Sequence, residues 1–274
     1  MDRVAFEDAL KAYEDRFNSM MPEMEPTIRD SELGSTRCFT GKPVEMGGTD
    51  YDVEGIAGLG VSVAAETWLE ETGQSPSSAS IAVQGAGAMG AAVCRYAVEA
   101  GMTLRFLADP RLGGCWQIES EFDGALRDAV IRMDFDAVKA ELEAGPHICM
   151  DLDDVLVQAV DILFPCAAQY VIDADNVDTI NAKAVVEGAN NPCTNDARSE
   201  LYARGVTVVP DFIAANVELE WVPFEQMGQD EAMEFTRTKV STNVRQMLAL
   251  ADSVGVDPVR AGQYLSYQRV FGEA

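Results

Sequence analysis

The stretch that most restricts what this chain can fold into runs from Ser80 to Asp109. After Ser80, a short apolar run, Ile81-Ala82-Val83-Gln84, passes directly into Gly85-Ala86-Gly87-Ala88-Met89-Gly90. A helical pattern from about Ala88 to Gly101 follows, and then a second strand-like run, Thr103 to Asp109. Strand, glycine turn, helix and strand within about 30 residues make one βαβ unit. Gly85 permits the tight turn. Gly87 has no side chain, so a pyrophosphate can approach the backbone. Gly90 lets the helix pack closely on the sheet. The free N–H groups and the positive end of the helix dipole then face the phosphates, which makes the turn a dinucleotide site. Asp109, 19 residues beyond Gly90, ends the second strand. An acid there can accept hydrogen bonds from the adenosine ribose and disfavours a 2′-phosphate, which points to NAD over NADP. Arg111, two residues on, could instead receive a phosphate.

The alternation continues along the chain. Asp134–Gly145 reads as a helix, Asp161–Pro165 and Lys183–Asn190 as strands, and Thr194–Gly205 as a helix capped by Thr194 or Asn195 and stopped at Gly205. Val206–Asp211 is the last strand, and two helices, about Asp230–Ser253 and Asp257–Gly272, close the chain. Such alternation predicts an α/β fold, a doubly wound parallel sheet of Rossmann type with flanking N- and C-terminal helices. Upstream, residues 3–21 carry apolar residues at helical spacing. Residues 22–37 contain two prolines and no period, and read as an irregular linker. Residues 53–72 read as a helix with Val61, Ala64, Ala65 and Trp68 on one face. The expected division is 1–39, a helix and linker, and 40–274, the dinucleotide-binding domain with its C-terminal helices.

Charge narrows the partners. The 274 residues hold 46 acidic and 20 basic side chains, a net charge of −26, and 5 of the 20 bases are lysine. Without a basic run, binding to nucleic acid or an anionic membrane surface is not expected. A salt-adapted host and an ordinary acidic protein both remain open as sources of this balance. The N-terminus has no apolar signal core and no stretch suits a membrane span, so the expectation is a cytoplasmic protein. Cys38, Cys94, Cys115, Cys149, Cys166 and Cys193 form no close pair, and His147 is the one histidine, so no metal site is expected. The cysteines read as reduced thiols and His147 as a loop residue.

Several segments, in order, resemble the glutamate/leucine/phenylalanine/valine dehydrogenase family. They are TGKPVEMGG (Thr40 to Gly48), IAVQGAGAMG (Ile81 to Gly90), DILFPCA (Asp161 to Ala167), AKAVVEGANNPCT (Ala182 to Thr194) and GVTVVPDFIAAN (Gly205 to Asn216). The closing VDPVRAGQYLSYQRV (Val256 to Val270) is similar to the family's last helix. The resemblance implies that Gly85, Ala86, Gly87, Ala88, Met89 and Gly90 line the pyrophosphate and that Asp109 meets the adenosine ribose. It also implies that Cys166 and Ala167 contact the dinucleotide, and that Asn190 and Asn216 approach the nicotinamide.

The departures bear on the substrate side. Family members carry a catalytic domain before TGKP, with a glycine-rich lysine motif, a catalytic lysine and an aspartate. Only 39 residues precede Thr40 here, with Lys11 their one lysine, so that domain is expected to be absent. The family's threonine in ATG is Ala57 here, its NAGG glycines are replaced within Val217-Glu218-Leu219, and its downstream serine has no counterpart in ELEWVPFEQ. The expected function is an NAD-dependent oxidoreductase passing a hydride to or from a small carbonyl, imine or amine. An NAD-binding pseudoenzyme or regulatory protein, and one half of a two-chain amino acid dehydrogenase, are the alternatives. A homo-oligomer or a separate catalytic subunit is compatible with each. An acid or base for the reaction would come from Lys42, Asp50, Asp52, Glu218 or Glu220, each of which reads equally as a solvated charge.

Overall fold

The computed structural model describes residues 1–30, 55–215 and 229–272. Cys38, the Thr40–Gly48 motif, Lys42, Asp50, Asp52, Asn216, Glu218 and Glu220 lie outside the described residues. Seven strands form one sheet: β1 (Ser80–Gln84), β2 (Thr103–Asp109), β3 (Gly114–Gln117), β4 (Ile148–Met150), β5 (Ile162–Pro165), β6 (Ala184–Val186) and β7 (Thr207–Val209). Their order is β4-β3-β2-β1-β5-β6-β7. The helices are α1 (Arg3–Asp30), α2 (Ile56–Glu71), α3 (Ala88–Glu99), α4 (Gly124–Ile131), α5 (Phe135–Ala144), α6 (Asn195–Ala203), α7 (Asp211–Ala214), α8 (Gln229–Val254) and α9 (Pro258–Phe271).

The five strands β2, β1, β5, β6 and β7 run parallel, and the chain departs from β1 in both directions. This is the α/β fold that the alternation predicts, with one difference. β3 and β4 add to the β2 edge antiparallel, so the sheet is mixed. For β3 the cause lies in its link from β2, a single 3₁₀ turn at Pro110–Leu112 closed by Gly113. A parallel neighbour needs a crossover of a dozen or more residues, and a turn this short can only reverse the strand.

Both faces of the parallel strands are covered, which is why they read as unbroken apolar runs. Ile81 and Val83 of β1, Ile162 and Phe164 of β5, and Ala184 and Val186 of β6 face the core shared with α1, α2, α3, α8 and α9. Ala82, Leu163 and Val185 face the smaller core that α6 and the long loops cover. β2 keeps this alternation only because its register against β1 shifts between Leu104 and Phe106. The extra residue, Arg105, restores the inward side chains to the correct faces, as a bulge does.

Two helices differ from their expected form. The pattern over 53–72 predicts one inward face for that helix, whereas α2 is buried nearly all round, from Ile56 to Leu69, with only Glu66 partly exposed in that span. The helix lies between α3 and α8, so it has no solvent face over most of its length. The second is α1, which continues past residue 21 through Pro22 and Pro26 to Asp30, where an irregular linker was expected. Each proline removes one backbone donor, but the methionines and glutamates around them favour helix. The N-terminal half of α1 buries Phe6, Leu10 and Tyr13 in the large core. Phe6 and Tyr264 of α9 meet in a tilted pair with ring centroids 5.0 Å apart, Arg260 forms an ion pair with Glu7, and the Tyr13 hydroxyl donates to the Gly272 carbonyl at 2.7 Å.

Candidate functional site

The C-terminal ends of β1, β2, β5, β6 and β7 lie side by side, which is where open parallel sheets bind ligands. The β1–α3 turn sits at their centre, at the point where the strand order reverses. Gly85 has φ 95°, a left-handed conformation that side chains rarely adopt, and a Cβ there would lie 2.9 Å from the Ala167 Cα. At Gly90 a Cβ would lie 1.7 Å from the Gly85 carbonyl oxygen. Gly87 differs. Its backbone is extended, and a Cβ would meet only the Arg111 guanidinium, at 3.6 Å. Thus Gly85 and Gly90 are required by the turn itself, while the space over Gly87 is open. No side chain caps α3 at Gly87, so the N–H groups of its first turn, which includes Ala88, Met89 and Gly90, lack a cap.

Asp109 ends β2 beside this turn, only 3% exposed. It accepts four N–H donors: Ala86 N at 2.9 Å, Arg111 N at 2.9 Å, Arg111 Nε at 2.8 Å and Arg111 Nη2 at 2.7 Å. Burial works to raise its carboxyl, but the hydrogen bonds from Arg111 and Ala86 and the guanidinium charge outweigh it and hold the group below the usual aspartate range. The Arg111 guanidinium carbon lies over the Phe135 ring, 3.6 Å from its centroid, and the side chain is 53% exposed. The two residues that were competing readings of the ribose end are therefore one ion pair.

On the other side of β1, the loop after β5 begins with Cys166 and Ala167. The Cys166 N–H donates to the Gln84 carbonyl at 2.8 Å, and Ala167 packs on Gly85. Burial pushes the Cys166 thiol well up, so it stays protonated near neutrality and serves as a small neutral wall. The loop after β6 comes close to it: a Cβ at Gly188 would meet the Cys166 Sγ at 2.7 Å and Met89 Cγ at 3.2 Å. Gly188 N and Ala189 N both donate to the Pro165 carbonyl, and Asn190 follows, exposed. The structure thus gathers Gly85–Gly90, Asp109, Cys166, Ala167 and Asn190 at one end of the sheet. His147 lies elsewhere, accepting the Glu119 N–H at 3.2 Å through Nδ1.

Sequence reasoning passed over a buried ionic group next to Asn190. Glu187 is 0% exposed and Arg198 6%. Arg198 donates to Glu187 through Nε at 2.9 Å and Nη2 at 2.6 Å, and to Asn195 at 3.1 Å, and its Nη2 lies 3.6 Å from Asp211 Oδ1. Burial works against the charged guanidinium, but the hydrogen bonds and charge of Glu187 keep its pKa above the ordinary value. The signal in the sequence was Glu187 itself, an acid ending an apolar strand, which needs a buried cation.

The open cradle at Gly87, the uncapped helix start and the buried Gln84 Oε1, which has no hydrogen-bond partner among the described residues, match an anionic, donor-bearing ligand lying across β1. Among the described residues no cluster of His, Cys, Asp or Glu could hold a metal ion.

Comparison with known proteins bears on this geometry. A model of the family described as Glutamate/Leucine/Phenylalanine/Valine dehydrogenase matches residues 47–272. The chain belongs to this family. It is 32% identical over 240 residues to glutamate dehydrogenase A2 of Halobacterium salinarum, covering 82% of this chain and 54% of that protein. It is 34% identical over 222 residues to the NADP(+)-dependent glutamate dehydrogenase of Pyrobaculum calidifontis, covering 77% and 52%. The solved structure of the hetero-hexameric glutamate dehydrogenase of Thermus thermophilus superposes with a TM-score of 0.68 at 27% identity, over 84% of this chain and 55% of that one. The chain spans about half the length of the relatives it matches. No described helix is long and apolar enough to cross a membrane.

Proposed function

We propose that this chain is the NAD-binding part of an amino acid dehydrogenase-type oxidoreductase. The observation that carries the reading is the Gly85–Gly90 turn, closed at Gly85 and Gly90 and open at Gly87, between Asp109 on one side and Asn190 on the other. When bound, the nicotinamide would supply the hydride acceptor or donor, and a small carbonyl, imine or amine would be its counterpart. The chain's own residues would do the rest. Gly85, Ala86, Gly87, Ala88, Met89 and Gly90 would hold the pyrophosphate through backbone N–H groups and the α3 dipole. Cys166 and Ala167 would wall the cleft after β5, and Asn190, with Asn216, would hold the nicotinamide end.

The preference for NAD rests on Asp109. An ionised carboxylate at the end of β2 repels a 2′-phosphate, although Arg111 beside it offsets part of that charge. Calorimetric titration should give tighter binding for NADH than for NADPH. Equal or reversed affinities would transfer the ribose end to Arg111. Ala57 favours a second reading: the first turn of α2 presents a buried methyl where the family has a threonine hydroxyl. A protein that binds NADH but turns over no 2-oxo acid with ammonia, aldehyde or ketone would support that cofactor-binding role. Assembly with further copies or a distinct subunit, and a cytoplasmic location, belong to the same proposal.

A further inference from the structure

Asn191, the neighbour of Asn190, adopts a left-handed backbone with φ 46°. Two bonds hold it there. Its N–H donates to Asp211 Oδ2 at 2.9 Å, and its carbonyl accepts the Tyr170 N–H at 2.9 Å. Asp211 is in turn held by the buried pair. Its own N–H donates to Glu187 Oε2 at 3.0 Å, and Arg198, bidentate on Glu187, lies 3.6 Å from Asp211 Oδ1. The loop after β6 is thereby tied to the start of α7 on one side and to the loop after β5 on the other. We infer that Asp211, locked by Glu187 and Arg198, is a positioning residue that sets where Asn190 stands and so where the nicotinamide end of a dinucleotide rests. The inference rests on the proposed dinucleotide reading.

The placement separates the two ends of such a ligand. Asp109 is at the end of β2, on one side of β1, whereas Asn190 follows β6, two strands to the other side. At about 4.8 Å per strand that is roughly 10 Å from β1, so the clamp does not reach the adenosine end. Removing it should weaken only the interactions of the nicotinamide half. A purely structural role would weaken every ligand of the site alike, or none.

Calorimetry with NADH and with ADP-ribose, which has all of the dinucleotide except the nicotinamide, distinguishes these cases. Asp211→Ala should weaken NADH about tenfold or more and leave ADP-ribose within about twofold. Asp211→Asn keeps an acceptor for the Asn191 N–H and loses the charge facing Arg198, so NADH should weaken by only about threefold, again with ADP-ribose unchanged. If the alanine variant does not fold, the asparagine variant carries the same comparison. Equal losses for both ligands, or no loss for NADH, would overturn the inference. A wild-type chain that binds neither ligand would overturn the dinucleotide reading beneath it, and binding of both with no split would overturn the clamp alone.

Discussion

At the scale of single residues, Asp109 is the side chain with the most tasks. Its carboxylate closes the β1–α3 turn through Ala86 and orients Arg111 next to Gly87. Because its pKa is lowered on folding, it stabilises the folded chain at pH values above the ordinary aspartate value of about 3.9, and that contribution is lost as the pH falls through the lower folded value. Asp109→Asn should therefore destabilise the chain at pH 7 by about 1.5–3 kcal/mol, the range for hydrogen bonds to a charged group. The gap to wild type should close progressively below about pH 4. Thermal melts of both proteins across that range are the check, and a gap independent of pH would show that the charge of Asp109 does not contribute. Cys94 and Cys115 show the opposite behaviour. Burial pushes each thiol up to about 12, so neither is ionised at neutral pH.

At the scale of elements, the N-terminal helix is fixed by packing. Leu10 is 1% exposed within the large core, and α1 meets α9 through Phe6, Tyr13 and Tyr264. Leu10→Ala should cost about 2–5 kcal/mol, measured by chemical denaturation, as for other large-to-small core substitutions. A loss under about 0.5 kcal/mol, the level of a surface substitution, would mean that α1 does not dock in solution. The β1–α3–β2 unit was legible in the sequence almost to the residue, because an apolar strand, a glycine turn and a helical period are local signals. The edge strands were not. Gly114–Gln117 and Ile148–Met150 are too short to show alternation; the first pairs with β2 through the tight turn at Pro110–Leu112, and the second reaches β3 only after α4 and α5. The site divides in the same way. Glycines and Asp109 follow one local spacing, whereas Glu187 meets Arg198 and Asp211 across 11 and 24 residues, contacts that only the folded sheet brings together.

At the scale of the whole molecule, the acidic composition, the mixed seven-stranded sheet and the glycine turn at the C-terminal ends of its parallel strands suit a small ligand held across β1. The charge of −26 makes phosphate binding dependent on backbone N–H groups and on a few arginines, since the sequence has no basic run. Phosphate binding then depends on the open position of the turn at Gly87. Gly87 has an extended backbone that any residue can adopt, with room for a Cβ, so Gly87→Val should fold normally by circular dichroism and melting temperature. Its side chain would stand where the pyrophosphate is proposed to lie. Calorimetric titration of NADH into the wild-type chain and into this variant is the most direct test. NADH should bind the wild-type chain and lose at least about tenfold in affinity, about 1.4 kcal/mol, in a variant with unchanged fold. Unchanged NADH affinity in a folded Gly87→Val chain would contradict it, because the dinucleotide would then lie elsewhere.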